Sequence, residues 1–209
     1  DKSDAIMGLI EDGFILATMA QNPDVMGYEG VKAAVAALNG EALGGAVTDT
    51  GVSVLKAEGG APEAPAASND YKIALITMDR VDQHWVTLEE GAMKAAAELG
   101  CEVVNMPPNM KDDAQQIEQI NNAVSSGCNA IVVAANGPDS ISSALKEAVA
   151  AGVKIIYVDS PANVEAEATF STNNKAAGKT AGETMIAELE AKGITEGTIG
   201  IVNVNAATD

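Results

Sequence analysis

The chain has 209 residues, of which 47% are hydrophobic, and its 30 acidic and 12 basic side chains give a formal charge of −18. This is the composition of a globular protein with one large domain or two small ones. The negative charge would repel phosphate backbones and anionic lipids, which argues against nucleic acid as a partner. No apolar run approaches the roughly 20 residues that span a bilayer, and residues 1–4 do not have the layout of a signal peptide.

The first 58 residues alternate short helices and strands. Their apolar spacing predicts helices at 4–11 and 24–38, and strands at 14–19 and 47–55. Residues 59–70 lack apolar periodicity and are rich in Gly, Ala and Pro. This composition predicts a flexible linker between two separately organised pieces of chain.

From residue 71 onward one pattern repeats, a short apolar strand followed by an amphipathic helix. The predicted strands lie at 71–78, 101–105, 130–135, 153–158 and 198–204, and the predicted helices at 85–99, 112–126, 138–151 and 175–192. Strands that are apolar throughout, alternating with helices, indicate a parallel sheet covered on both faces. The predicted fold class is therefore α/β, with doubly wound parallel sheets.

The two cysteines, Cys101 and Cys128, each follow a glycine that ends a predicted helix, and each opens a predicted strand. In a doubly wound sheet the strand at 71–78 lies between those two strands. Two strand spacings amount to about 9–10 Å, which is too far for a disulfide. We therefore expect both thiols to be free and buried.

Signatures of catalysis and of metal binding are missing. The sequence contains no Gly-x-Ser-x-Gly, no Walker loop and no Gly-x-Gly-x-x-Gly. Its single histidine has no serine placed as a nucleophile, and one histidine with two cysteines cannot complete a four-ligand zinc site without carboxylates. The sequence thus predicts no catalytic residue, no metal site and no cofactor.

Polar side chains follow the predicted strands at their carboxyl ends, where ligands bind in open α/β sheets. The residues at these ends are Asp79, Arg80, Asp82, His84, Trp85, Asn136, Asp159, Ser160 and Gln21. Carboxylates and amides bind hydroxyl groups, arginine forks onto oxygens, and an aromatic ring covers an apolar C–H face. This mixture of residue types suits a sugar.

Each of these residues also has a purely structural interpretation. Asp79 and Asp82 would equally serve as helix N-caps, with Arg80 paired to one of them. Trp85 would serve as a core anchor at the start of a helix, and His84 as an exposed turn residue. Asn136 suits a turn, and Gln21 suits a hinge between lobes.

Residues 71–209 resemble the amino-terminal portion of sugar-binding proteins of the ribose-binding type, the substrate receptors of bacterial ABC importers. The resemblance rests on Ile-Ala-Leu-Ile-Thr-Met at 73–78, on the helix at 90–100, on the strands at 129–136 and 152–159, and on Ser-Thr-Asn-Asn at 171–174. Residues 1–58 resemble the carboxy-terminal end of the same family, through 10–21, 26–30 and 50–52. The order of the two pieces is circularly permuted relative to the family.

This resemblance implies a permuted, two-lobed periplasmic-binding-protein type I fold. Residues 21–58 and 71–170 would form the first lobe, and residues 1–20 and 171–209 part of the second. The linker at 59–70 would join the family's two termini, and it also has the composition of a lipoprotein stalk. We find no counterpart of the middle of the second lobe, so either a complementary chain supplies it or a segment is missing from this sequence.

The implied function is a receptor that captures a monosaccharide or polyol between two hinged lobes for an ABC permease. It implies an extracytoplasmic location, in the periplasm or lipid-anchored at the cell surface. The family positions that contact ligand match Gln21, His84, Trp85, Asn136, Asp159 and Asp1. Ser160 replaces an arginine typical of ribose binders, which argues against ribose itself.

Three other functions are weighed against this one. An autoinducer-2-type signal receptor would use the same site chemistry. The sugar-sensing core of a transcription regulator shares the fold but would need a helix-turn-helix and a basic patch, which the sequence lacks. An enzyme on a flavodoxin-like sheet would need a phosphate or metal site.

Overall fold

The computed structural model of the chain describes residues 4–15, 17–55 and 70–200. Asp1 and residues 59–69 of the predicted linker lie outside this part of the chain. The described elements, in chain order, are α1 (Asp4–Glu11), β1 (Thr18–Gln21), α2 (Pro23–Leu38), β2 (Ala46–Asp49), β3 (Val52–Leu55), β4 (Lys72–Ile76), α3 (Gln83–Leu99), β5 (Glu102–Asn105), α4 (Asp113–Ser125), β6 (Ala130–Val133), α5 (Ser142–Ala150), β7 (Lys154–Val158), β8 (Ala168–Ser171) and α6 (Asn174–Ala191).

Six strands form one parallel sheet in the order β2-β8-β7-β6-β4-β5. Strand β4 lies between β5 and β6, as the doubly wound topology predicts. The other two strands, β1 and β3, pair antiparallel as a separate ribbon. The predicted α/β fold with a parallel sheet is confirmed.

The two faces of the sheet carry separate apolar clusters. On β6, Ala130 and Val132 pack with residues of α2 and α3, whereas Ile131 and Val133 pack with residues of α4 and α5. This alternation follows from the pleat, which points successive side chains to opposite faces. Because both faces are covered, all four residues of β6 are buried, which explains its uninterrupted apolar sequence.

Helices α2 and α3 cross so closely that their backbones touch at two glycines. A Cβ atom on Gly27 would lie 1.9 Å from the carbonyl oxygen of Leu88, and one on Gly91 would lie 1.9 Å from that of Asp24. Only a hydrogen in place of the side chain fits at such distances. Since α2 precedes residue 59 and α3 follows residue 70, this crossing joins the two pieces of chain that the sequence separates.

The predicted strand at 47–55 is two strands in the structure. Its first half, β2, is an edge strand of the large sheet, and its second half, β3, belongs to the ribbon. Between them, the Asp49 carboxylate accepts the backbone N–H of Gly51, and Gly51 has a φ of +72°. This turn redirects the chain, because glycine adopts positive φ without steric cost.

Other boundaries also differ from the predictions. Strand β1 begins at Thr18 rather than at Phe14, which is largely exposed, and α5 begins at Ser142 rather than at Pro138. Strand β8 was not predicted, because Ala-Thr-Phe-Ser lacks an apolar run. Residues 198–200 are not in a strand, and the rest of the strand predicted at 198–204 lies outside the described residues.

Both cysteines are free, and β4 separates their strands as expected. Cys128 is buried. The expectation of burial is wrong for Cys101, which is half-buried. The reason is that β5, which follows Cys101, is an edge strand with partial exposure.

The chain divides into two compact units, residues 1–173 and 174–209. The second unit contains α6, in which no residue is buried. Its apolar side chains include Met185 and Ile186, and Ile186 is 58% exposed.

No helix within 4–15, 17–55 and 70–200 is both long enough and apolar enough to cross a membrane.

The α2–α3 crossing generates a stability prediction. Gly91→Ala places a methyl group on a backbone carbonyl that cannot move aside, so we expect the free energy of unfolding to fall by about 3 kcal/mol or more. Urea denaturation followed by the fluorescence of Trp85, the only tryptophan, measures the change. Gly8→Ala in α1, where nothing lies within 4 Å of the added atom, is the control. Equal midpoints for the two variants would contradict the close crossing.

Candidate ligand-binding site at the carboxyl ends of the strands

The loop between β4 and α3 is held by two aspartates. Asp79 Oδ1 accepts the backbone N–H groups of Val81 (2.8 Å) and Asp82 (2.9 Å). Asp82 is the N-cap of α3, since its Oδ1 accepts the N–H of His84 at 3.0 Å. The capping role considered for Asp82 is therefore confirmed, whereas Asp79 orders the turn that precedes the cap.

Asp79 is a buried carboxylate that stays ionised. It is 4% exposed. Burial by itself raises the pKa of Asp79, but the N–H groups of Asp82 and Val81, the Lys111 ammonium and the Trp85 indole outweigh it and lower the pKa below its usual value. The site therefore contains a fixed negative charge at neutral pH.

Asp159 lies directly after β7 and meets His84 from the other loop. Its Oδ1 is 3.5 Å from His84 Nε2, and its Oδ2 accepts the Ser160 hydroxyl at 2.7 Å. Its backbone has a φ of +60°, the left-handed region that asparagine and aspartate tolerate better than most residues. Its N–H donates to the carbonyl of Phe170 in β8 (2.8 Å), which anchors this conformation.

Asp159 is ionised for a similar balance of reasons. Burial raises its pKa, but the contacts with the His84 and Ser160 side chains, and the charge of Lys111, lower the pKa below its usual value. Asp79 and Asp159 thus present two carboxylates at the ends of different strands. Carboxylate oxygens accept hydrogen bonds from adjacent hydroxyl groups, as sugar binding requires.

Trp85 is a member of the apolar core as well as a neighbour of the site. It is 5% exposed and belongs to the same buried cluster as Met26 and Leu88. The His84 ring meets it edge-on, with ring centroids 4.6 Å apart. Its indole Nε1 is buried and makes no hydrogen bond of normal geometry within the described residues. The structure therefore gives this ring the anchoring role that the sequence left open.

The neighbouring loop, between β5 and α4, adds a cation that sequence analysis missed. Lys111 Nζ lies 3.9 Å from both Asp79 Oδ2 and Asp82 Oδ2. The expected pairing of Arg80 with an aspartate is wrong, because Arg80 Nη2 donates to the carbonyl of Pro107 at 3.1 Å. No sequence signal marks Lys111, since its role depends on how two loops approach each other.

Asn136, after β6, is held by two residues of α4. Its backbone N–H donates to Gln116 Oε1 at 2.9 Å, and its side-chain amide donates to Asp113. Gln116 is fully buried and donates to the carbonyls of Thr77 (3.1 Å) and Ala134 (2.8 Å). It thereby joins the ends of β4 and β6. Its helical spacing with Ile120 and Ala123 is the signal that could have identified it as buried.

Of the other two predicted site residues, only Gln21 lies in the described part of the chain. Gln21 is half-buried at the end of β1, opposite Val52 in the antiparallel ribbon and not in the six-stranded sheet. Asp1 lies outside the described residues. Among residues 4–15, 17–55 and 70–200, no group of three or more His, Cys, Asp or Glu side chains could hold a metal ion.

The lowered pKa of Asp79 leads to a prediction about stability and pH. A carboxylate whose folded pKa is lowered stabilises the fold above its unfolded pKa, and that contribution is lost as the pH falls through the folded pKa. Asp79→Asn should therefore lower the free energy of unfolding at pH 7 by about 1–3 kcal/mol, and its difference from wild type should shrink below pH 4.

Urea titrations at several pH values measure this difference. Asp70→Asn is the control, because Asp70 is exposed and the substitution changes the net charge by the same amount. A difference for Asp79→Asn that is independent of pH would show that the lost stability does not depend on the charge.

The solved structures that are similar to this chain include three ABC transporter solute-binding proteins. One from Clostridium phytofermentas with bound L-rhamnose is 26% identical with a TM-score of 0.51, covering 61% of this chain and 39% of that one. One from Mycobacterium smegmatis with bound glycerol is 26% identical with a TM-score of 0.54, covering 58% of this chain and 42% of that one. One from Agrobacterium vitis with bound D-fucose is 28% identical with a TM-score of 0.50, covering 56% of this chain and 43% of that one. The chain thus spans less than half the length of these relatives.

A family model of the periplasmic binding protein domain matches residues 73–209, which is more than half of the chain. This family consists of solute receptors rather than enzymes, in agreement with the absence of catalytic signatures in the sequence. It also implies an extracytoplasmic location. The chain belongs to the periplasmic binding protein domain family, as its resemblance to sugar-binding proteins of ABC importers led us to expect.

Proposed function

We propose that this chain is the ligand-binding part of a receptor that captures a monosaccharide or related polyol for an ABC permease. The observation that carries the proposal is the convergence of Asp79, Asp82, His84 and Asp159 at the carboxyl ends of β4 and β7. In open α/β sheets this edge is where ligands bind.

The available atoms suit hydroxyl groups. Asp79 and Asp82 each accept backbone N–H groups with Oδ1, so Oδ2 of each remains as an acceptor. His84 and Lys111 supply polar hydrogens beside these oxygens. A polyol, whose hydroxyls both donate and accept, satisfies acceptors and donors together.

The relatives support this choice of ligand class. L-rhamnose, D-fucose and glycerol are bound in the three similar structures. All three molecules are uncharged, and each carries several hydroxyl groups. This common chemistry, rather than any one sugar, is what we carry over to the present chain. Extracytoplasmic placement, in the periplasm or at the cell surface by a lipid anchor, and an ABC permease as partner are part of the same proposal.

We further propose that the chain carries one nearly complete lobe in permuted order. Strand β2 extends the parallel sheet beside β8, and α2 packs closely against α3, so the segment before residue 59 contributes to the same lobe as the segment after residue 70. The ribbon of β1 and β3 and the region after β8 are the proposed crossings between lobes, and Gln21 lies in this ribbon, at the first of these crossings. A complementary segment would supply the remainder of the second lobe.

Sugar titration tests the ligand proposal. We expect L-rhamnose, D-fucose or glycerol to change Trp85 fluorescence with a millimolar dissociation constant, since one lobe alone lacks the contacts made on closure. Asp159→Asn keeps a residue that tolerates positive φ and should weaken binding at least about tenfold by removing a charged acceptor. Asp70→Asn should leave affinity unchanged. Equal affinity in both variants, or no binding by the wild-type chain with a second-lobe segment supplied, would refute the assignment.

Hydrogen exchange tests the lobe proposal. Because α6 has no buried residue, its amides should exchange much faster than those of α3, which buries six residues including Trp85 and Leu88. Supplying the complementary second-lobe segment in trans should slow exchange in α6 and tighten sugar binding together. If α6 is already as well protected as α3 in the isolated chain, no such partner is needed.

A further inference from the structure

Lys111 lies beside two carboxylates, each of which accepts backbone N–H groups with only one of its two oxygens. Asp79 and Asp82 each direct Oδ1 to backbone N–H groups. The remaining oxygens, both Oδ2, are the two atoms that lie 3.9 Å from Lys111 Nζ. A donor group of a ligand would compete with this ammonium for the same two oxygens.

The contact is electrostatic and easily displaced. At 3.9 Å the ammonium is too far for a hydrogen bond of normal length, and the Lys111 side chain is 52% exposed. Exposed charges in such an arrangement attract each other weakly and are screened by salt. Lys111 therefore adds positive charge to the site without closing it.

The charge balance of the site depends on this residue. The site contains three carboxylates, those of Asp79, Asp82 and Asp159, but only one lysine, and His84 adds a second positive charge only when protonated. The charge of Lys111 reaches both Asp79 and Asp159, since it contributes to the lowered pKa of each. Arg80, the other nearby cation, is directed to the Pro107 carbonyl.

We propose that Lys111 sets the charge selectivity of the site. Its ammonium group partly neutralises the three carboxylates, which would otherwise attract a positively charged ligand. With Lys111 present, an uncharged polyol can bind beside it, whereas the ammonium group of an amino sugar is repelled by it. Without Lys111, the same oxygens would favour the amino sugar more strongly. This inference rests on the proposed function, because it concerns the ligand of that same site.

The test compares a matched pair of sugars, D-glucose and D-glucosamine, which differ by a hydroxyl and an ammonium group at one carbon. Dissociation constants are measured on the full chain by Trp85 fluorescence and ligand-observed NMR. In Lys111→Met, which keeps the aliphatic length but removes the charge, the affinity ratio should shift toward glucosamine on the order of fivefold. The shift should shrink in high salt, which a purely structural effect of the substitution would not do.

Lys146→Met is the control, because it removes the same charge from an exposed residue of α5. A ratio that moves equally in both variants, or in neither, overturns the role of Lys111 while leaving sugar binding intact. If the wild-type chain binds neither sugar, with or without the second-lobe segment, the proposed function and this inference fail together. A shift confined to Lys111→Met and weakened by salt supports the proposal.

Discussion

The close crossing of α2 and α3 is the contact on which the rest of the first unit depends. It joins a helix that precedes residue 59 to one that follows residue 70, and it does so by backbone contact at Gly27 and Gly91. The same two helices cover one face of the parallel sheet. The start of α3 also carries Asp82, His84 and Trp85. Loosening this crossing would therefore disturb the core and the strand-end residues together, because the helix that packs is also the helix that positions them.

The central strands of the sheet and the candidate site at their carboxyl ends could be predicted because both follow from burial. Strands β4, β6 and β7 are covered on two faces, so their sequences are apolar throughout, and polar residues that follow them stand out. Strand β8 escaped prediction because Thr169 and Ser171 interrupt its apolar character. The strand at 47–55 was predicted as one, because the turn at Gly51 depends on a local hydrogen bond from Asp49 that hydrophobic periodicity does not reveal.

The individual site contacts were harder to predict than the site. Asp79, Asp82, His84 and Asp159 follow from the strand-end rule, yet the rule does not say which atoms remain available. Lys111 and the true partner of Arg80 depend on the approach of the β5–α4 loop to the β4–α3 loop. Such contacts join residues about 30 positions apart through flexible side chains. Neither composition nor spacing encodes that geometry, so only the structure identifies them.

The candidate site is richer in acceptors than in donors, and this imbalance limits which ligand groups it can bind alone. Its fixed acceptors are the oxygens of three carboxylates, two of which are ordered by the backbone N–H groups that they accept. Its donors are an exposed ammonium and an imidazole that already faces Asp159. Each sugar hydroxyl offers one hydrogen but two lone pairs. The carboxylates of the candidate site could therefore accept the hydroxyl hydrogens of a bound sugar. The lone pairs of the sugar would require hydrogen-bond donors from the opposite side of a cleft. In the proposed receptor, a second lobe that supplies those donors would bind the groups of the ligand that the first lobe leaves unsatisfied, and this would couple ligand binding to closure.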